Sequence, residues 1–215
     1  MFGRSNSLFG ALAAMWLQLA LTSQSATLGY WRFEEVAGSA AVDSSGNGNS
    51  GNVLNGAGQV TNVFGSPVPK TNQQNKQSMS LNGLDGCAVD MGTGTALSVG
   101  TGDFTLEAWV NARSIPADPI YPNRFIAGKR VSGLFGDVGY ELYARSSGSG
   151  YTIQLLLRAG GPAVTLASEV LSFDTWYHIA AVRKSDNASV DLYIDGLLEA
   201  TAYTVELCAS GHWST

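Results

Sequence analysis

In DFTLEAWVNA (103–112), Phe104, Leu106, Ala108 and Val110 alternate with Thr105, Glu107, Trp109 and Asn111. A period of two marks a strand with one face in a core. Five more strand-like runs follow: GYELYARS (139–146), YTIQLLLRAG (151–160), AVTLASEV (163–170), TWYHIAAVRK (175–184) and SVDLYIDG (189–196). Gly, Ser, Asn or Asp part them. Within LYIDGLLEA (192–200), Asp-Gly between apolar runs predicts a hairpin, because a type I′ turn needs φ > 0 at both central residues. Upstream, LGYWRFEE (28–35) reads as a first strand and QVTNVFG (59–65) holds a short one. SMSLNG (78–83) and CAVDMG (87–92) read as a strand pair across Asn82–Asp85. Residues 114–136 hold three of the six prolines and several glycines, which predicts a loop. Many short strands with no helical segment between them predict an all-β, antiparallel β-sandwich or jelly roll.

Composition agrees. Charged residues are 13% of the 215, and the 26 glycines suit a chain of many turns. The net charge of −5 argues against nucleic acid or an anionic membrane surface as partner. The first 26 residues stand apart: a short basic start, the uncharged run Leu8–Thr22, then small residues up to Ala26. That is the pattern of a secretory signal peptide, and about 15 apolar residues are too few for the roughly 20 of a spanning helix. The expectation is a secreted mature chain with no membrane insertion after cleavage. Cys87 and Cys208 fit an oxidising compartment and allow one disulfide, which the sequence alone does not establish. There is no CxxC or Cys/His spacing for a structural zinc.

YWRFEE, DSSGNGNSGNVLNGA, SMSLNG, DFTLEAWV, GYELYA, TWYHIAAVRK and VDLYIDGLLEA run in this order from Tyr30 to Ala200. Together they resemble the laminin G-like jelly-roll family of the concanavalin A-like lectin/glucanase superfamily. The resemblance implies a domain over 27–200 made of two curved antiparallel sheets. It also implies a secreted or cell-surface, non-catalytic module that binds a glycan or an extracellular protein. Two other functions fit the same fold: a structural or adhesive piece of a larger exported protein, and an accessory domain of a glycoside-hydrolase-type enzyme. The family's pattern continues past the hairpin to a closing strand with a Phe-x-Gly-x-Ile-Asp-Glu-like motif, which YTVELCASGHWST does not match. Residues 201–215 are therefore expected to be an atypical tail, from a truncated or frame-shifted product.

The metal candidates lie in DSSGNGNSGN (43–52). In the family the loop at this place helps hold calcium, which the resemblance transfers to Asp43, and less securely to Asn47 and Asn52. Six to eight oxygens are needed for Ca2+, and a Gly/Asn-rich loop can turn carbonyls inward beside a carboxylate. An Asx turn explains the same Asp43 without a metal. Catalysis has no such foothold. The Glu-x-Asp-x-x-Glu triplet of the superfamily's glucanases is missing, Glu34 and Glu35 are adjacent and would face opposite ways on a strand, and Glu107 has no acidic partner at i+2. His178 in TWYHIAAV reads as a packing or hydrogen-bonding residue. No Gly-x-Ser-x-Gly elbow is present. The domain reads as no enzyme. Among Trp31, Tyr121, Tyr140, Tyr143 and Tyr151, strand aromatics are ordinarily core or cross-strand pairs. Tyr121, in the loop IPADPIYPNRF, is the one placed for ligand binding. Asn187-Ala188-Ser189 matches the glycosylation sequon in a turn.

Overall fold

A computed structural model of the chain describes residues 26–35, 40–54, 58–61, 76–81, 87–99, 102–115, 122–133, 136–159 and 163–203. The strands among them are β1 (Ala40–Ala41), β2 (Gly51–Leu54), β3 (Gly58–Thr61), β4 (Gln77–Ser80), β5 (Ala88–Asp90), β6 (Phe104–Asn111) and β7 (Asn123–Gly133). They continue with β8 (Gly136–Ser147), β9 (Gly150–Ala159), β10 (Val164–Ala167), β11 (Trp176–Lys184), β12 (Ser189–Ile194) and β13 (Leu197–Tyr203). Two sheets of four strands dominate: sheet I in the order β10-β9-β8-β7, and sheet II in the order β13-β12-β11-β6. Smaller sheets join β1-β2-β5 and β3-β4. All these pairings are antiparallel.

The period of two sets the core. On β9, Tyr151, Ile153, Leu155 and Leu157 are buried while Thr152, Gln154, Leu156 and Arg158 are half-buried. Leu142 and Ala144 of β8 and Leu166 of β10 join the buried set. Across from them lie Ile179 and Ala181 of β11 and Val190, Leu192 and Ile194 of β12, with Leu106 and Val110 of β6 packed alongside. Two sheets thus press their apolar faces together, the arrangement of a sandwich. The jelly-roll expectation holds.

Three elements differ from the sequence reading. The supposed loop at 114–136 contains β7, an edge strand of sheet I. Its sequence NRFIAGKRVSG mixes charge and glycine, as edge strands do to discourage pairing with other chains. A register shift between Phe125 and Ala127 also breaks its alternation. The first strand contracts to a single bridge between Trp31 and Asp43. Phe33 at φ 56° interrupts the extended run there. Finally, β4 pairs with β3 and β5 with β2, so SMSLNG and CAVDMG are not partners. The signal-peptide segment lies outside the described residues, apart from Ala26. No described helix is long and apolar enough to cross a membrane.

Candidate functional site

The Gly/Asn-rich loop is tied together by one side chain. Asp43 is 8% exposed. Its Oδ1 accepts from the Tyr30 and Ser45 backbone N–H at 2.9 Å each, and its Oδ2 accepts from Ser45 Oγ and the Asn49 N–H at 2.9 Å each. Asn47 and Asn49 extend the knot: Asn47 Nδ2 donates to the Thr27 carbonyl at 2.6 Å, and Asn49 Nδ2 donates to the Leu28 carbonyl at 2.7 Å. The Trp31 indole N–H donates to the Asn49 carbonyl at 2.9 Å. Burial pushes the Asp43 pKa up, and the hydrogen bonds outweigh it, holding the carboxyl at about 2.

These residues do not fit a calcium site as arranged. A carboxylate has about four acceptor positions, and four protein donors take them. Asn52 sits on β2, opposite Ala40 and Asp90 in the ladder, rather than beside Asp43 in the turn. Among the described residues no three His, Cys, Asp or Glu side chains cluster as metal ligands. In this structure the loop is tied by hydrogen bonds to residues 27–31.

The other candidates separate. Tyr121 and Cys208 lie outside the described residues, and Cys87 is half-buried just ahead of β5. Tyr151 is in the core, stacked on Phe173 at 5.5 Å. Tyr140 packs on Phe104 at 5.8 Å and its hydroxyl donates to the Leu97 carbonyl at 3.1 Å. His178 lies 5.1 Å from the Trp109 ring, with Nε2 3.6 Å from Glu107 Oε2. Glu34 and Glu35 accept from the backbone N–H of Lys76 and Val42, both at 2.7 Å. The sequon Asn187 accepts from Ser189 N–H and Oγ within its own turn.

A second constellation stands on the outer face of sheet I. Because Leu142, Ala144, Ile153 and Leu155 point into the core, their neighbours Glu141, Tyr143 and Arg145 on β8 and Thr152, Gln154 and Arg158 on β9 point away from it. Phe125 of β7 is the cross-strand partner of Tyr143. The two rings meet edge to face at 6.1 Å, and Phe125 remains 57% exposed. Tyr143 Oη donates to Gln154 Oε1 at 2.9 Å. Glu141 is paired with Arg130 at 3.4 Å. Burial raises the Tyr143 pKa; Glu141 adds to the rise while Arg145 and Arg158 oppose it, so both guanidinium groups act at this ring. The sequence reading missed Phe125 because it took the segment for a loop. Tyr143 was legible from the Leu142/Ala144 alternation.

Two facing antiparallel sheets, one carrying rings and hydrogen-bonding groups on its outer face, define a jelly-roll β-sandwich. The chain belongs to the Concanavalin A-like lectin/glucanases superfamily, with the Laminin_G_3 family model matching residues 86–213. Among solved structures it is similar to an S-layer domain-containing protein (residues 221–444) from Clostridium thermocellum ATCC 27405. That likeness has 23% identity and a TM-score of 0.48, over 81% of this chain and 71% of the other. No curated protein matches the chain.

Proposed function

We propose that the chain is an extracellular, non-catalytic module that binds a carbohydrate on the outer face of sheet I. The observation that carries this reading is the exposed Phe125 ring braced by Tyr143 and bordered by Gln154 and Arg145. A sugar ring presents an apolar face to an aromatic and a rim of hydroxyls to polar groups, and this face offers both. The extracellular reading rests on the signal-peptide pattern of residues 1–26 together with the family. The non-catalytic reading draws on Glu141, the one carboxylate among the described side chains of this face, which is held by Arg130. Glycoside hydrolysis needs two carboxyl groups flanking one bond.

A glycan array read with wild type, Phe125→Ala and Tyr121→Ala tests the proposal. Wild type should give a signal that Phe125→Ala lowers several-fold, since one stacked ring contributes on the order of a kcal/mol. A signal lost only in Tyr121→Ala would place the site at Tyr121 and reject the sheet face. No signal from any glycan would reject carbohydrate binding and favour the structural or adhesive alternative.

A further inference from the structure

The outer face of sheet II carries side chains that the carbohydrate reading does not use. Because Ile179 and Ala181 of β11 point into the core, His178 and Ala180 point away from it. Leu106 and Val110 of β6 pack on the same core, so Glu107 and Trp109 stand outward beside them. The ladder sets His178 opposite Trp109 and Ala180 opposite Glu107. Ala180 contributes only a methyl there, which leaves the diagonal from Glu107 to His178 open. Along it, His178 Nε2 lies 3.6 Å from Glu107 Oε2, with the two side chains 28% and 59% exposed.

That separation discriminates between two arrangements. It is too long for a hydrogen bond, whose N···O distance is about 2.7–3.2 Å. Two ligands of one tetrahedral ion, each about 2.0–2.2 Å from the metal, stand about 3.3–3.5 Å apart. The remaining difference is within reach of the exposed Glu107 side chain. The imidazole is also held in place. The His178 N–H donates to Asp195 Oδ1 at 2.9 Å, its carbonyl accepts from the Asp195 N–H at 2.8 Å, and its ring rests 5.1 Å from that of Trp109. Among the described residues neither the imidazole nor the Glu107 carboxylate is engaged in a hydrogen bond. Lys184, the cation on the outward side of β11, is neutralised by Asp191 at 2.7 Å. The net charge of −5 favours an incoming cation.

We propose that His178 and Glu107 form a surface site for a divalent transition-metal ion, Cu2+ above Zn2+ or Ni2+. Imidazole with carboxylate suits these ions, whereas calcium takes oxygen ligands. The site is an open one, in keeping with the lack of a three-ligand cluster among the described residues. Two protein ligands leave the other coordination positions to water or to a donor group on another molecule. The pair lies on the far side of the sandwich from Phe125, so it stands or falls independently of carbohydrate binding.

The test titrates the full chain with Cu2+, Ni2+, Zn2+ and Ca2+ by calorimetry and follows tryptophan emission in parallel. Cu2+ should bind one to one and more tightly than Ni2+ or Zn2+, and Ca2+ should not compete with it. Held beside the Trp109 ring, Cu2+ should quench emission, and a chelator should restore it. Trp109→Phe should remove most of the quenching and keep the stoichiometry. His178→Ala and Glu107→Gln should each weaken binding at least tenfold, since losing even an outer-shell partner costs about 10–100-fold. Glu107→Gln preserves the shape of an exposed side chain, so its effect is not one of folding. His212→Ala, which removes the other histidine of the chain, should change nothing. Binding lost only in His212→Ala, or undiminished in both ligand variants, would overturn the site. Displacement of Cu2+ by Ca2+ would overturn it too, by pointing to oxygen donors. No binding of Cu2+, Ni2+ or Zn2+ would reduce the pair to an ordinary ion pair and reject the proposal.

Discussion

Asp43 shows how much one carboxylate can organise. It accepts three backbone N–H groups and a hydroxyl, and its own N–H donates to Ser50 Oγ at 3.1 Å. Because the folded pKa is held at about 2, below its ordinary 3.8, the ionised form is favoured by folding. That stabilisation is complete above the unfolded pKa and is lost as pH falls from about 4 through about 2. Melting temperature should therefore drop across this window. In Asp43→Asn the drop should shrink, and the protein should already be less stable at pH 7, since an amide N–H2 would face the donors of Ser45 or Asn49. An unchanged pH profile in that variant would refute the clamp. The sequence offered Asp43 as a calcium ligand or as the head of an Asx turn, and the Ser45 N–H on its Oδ1 is the hydrogen bond of that turn. The sequence could not say where the donors come from, because Tyr30 is 13 positions away and only the folded chain brings it near.

At the level of elements, local chemistry was legible and partner choice was not. The Asp195–Gly196 turn has φ of 50° and 79°, both positive as the Asp-Gly pair required, and it closes β12 onto β13. Strands β6, β8, β9 and β11 announce themselves by alternation or by runs of apolar and β-branched residues. β7 does not, since its partner is supplied by β8 and its own composition is that of an edge. Gly139 records how closely the two strands approach. It has φ 142°, and a Cβ there would run into the Lys129 carbonyl oxygen on β7. The obstacle is backbone, so no side-chain rotation relieves it. Gly139→Ala should cost about 1–3 kcal/mol or more, as a strained backbone position does. Hydrogen exchange should show the loss first in β7, and undiminished protection of residues 123–130 would contradict the tight approach.

For the molecule as a whole, the proposed function depends on which side of sheet I is inside. The alternation of β9 gives a direct test through two adjacent leucines. Leu155 is 1% exposed and packs in the core shared with sheet II, while Leu156 is half-buried on the outer face opposite Glu141. Leu155→Ala removes the same atoms as Leu156→Ala, but only the first leaves a cavity between the two sheets. Core Leu→Ala substitutions cost about 2–5 kcal/mol, from lost transfer energy plus the void. Against a net stability of about 5–15 kcal/mol, that is a large fraction for one residue. Leu156→Ala forgoes only a partial burial, at about 25 cal/mol per Å² of apolar surface returned to water, and should cost under about 1.5 kcal/mol. Urea denaturation of both variants measures the difference directly, through shifts in midpoint at constant slope. If Leu156→Ala proved as damaging as Leu155→Ala, the outer face would be a second packed interface. Phe125, Arg145 and Arg158 would then stabilise the fold, and the proposal of a carbohydrate site on this face would fall.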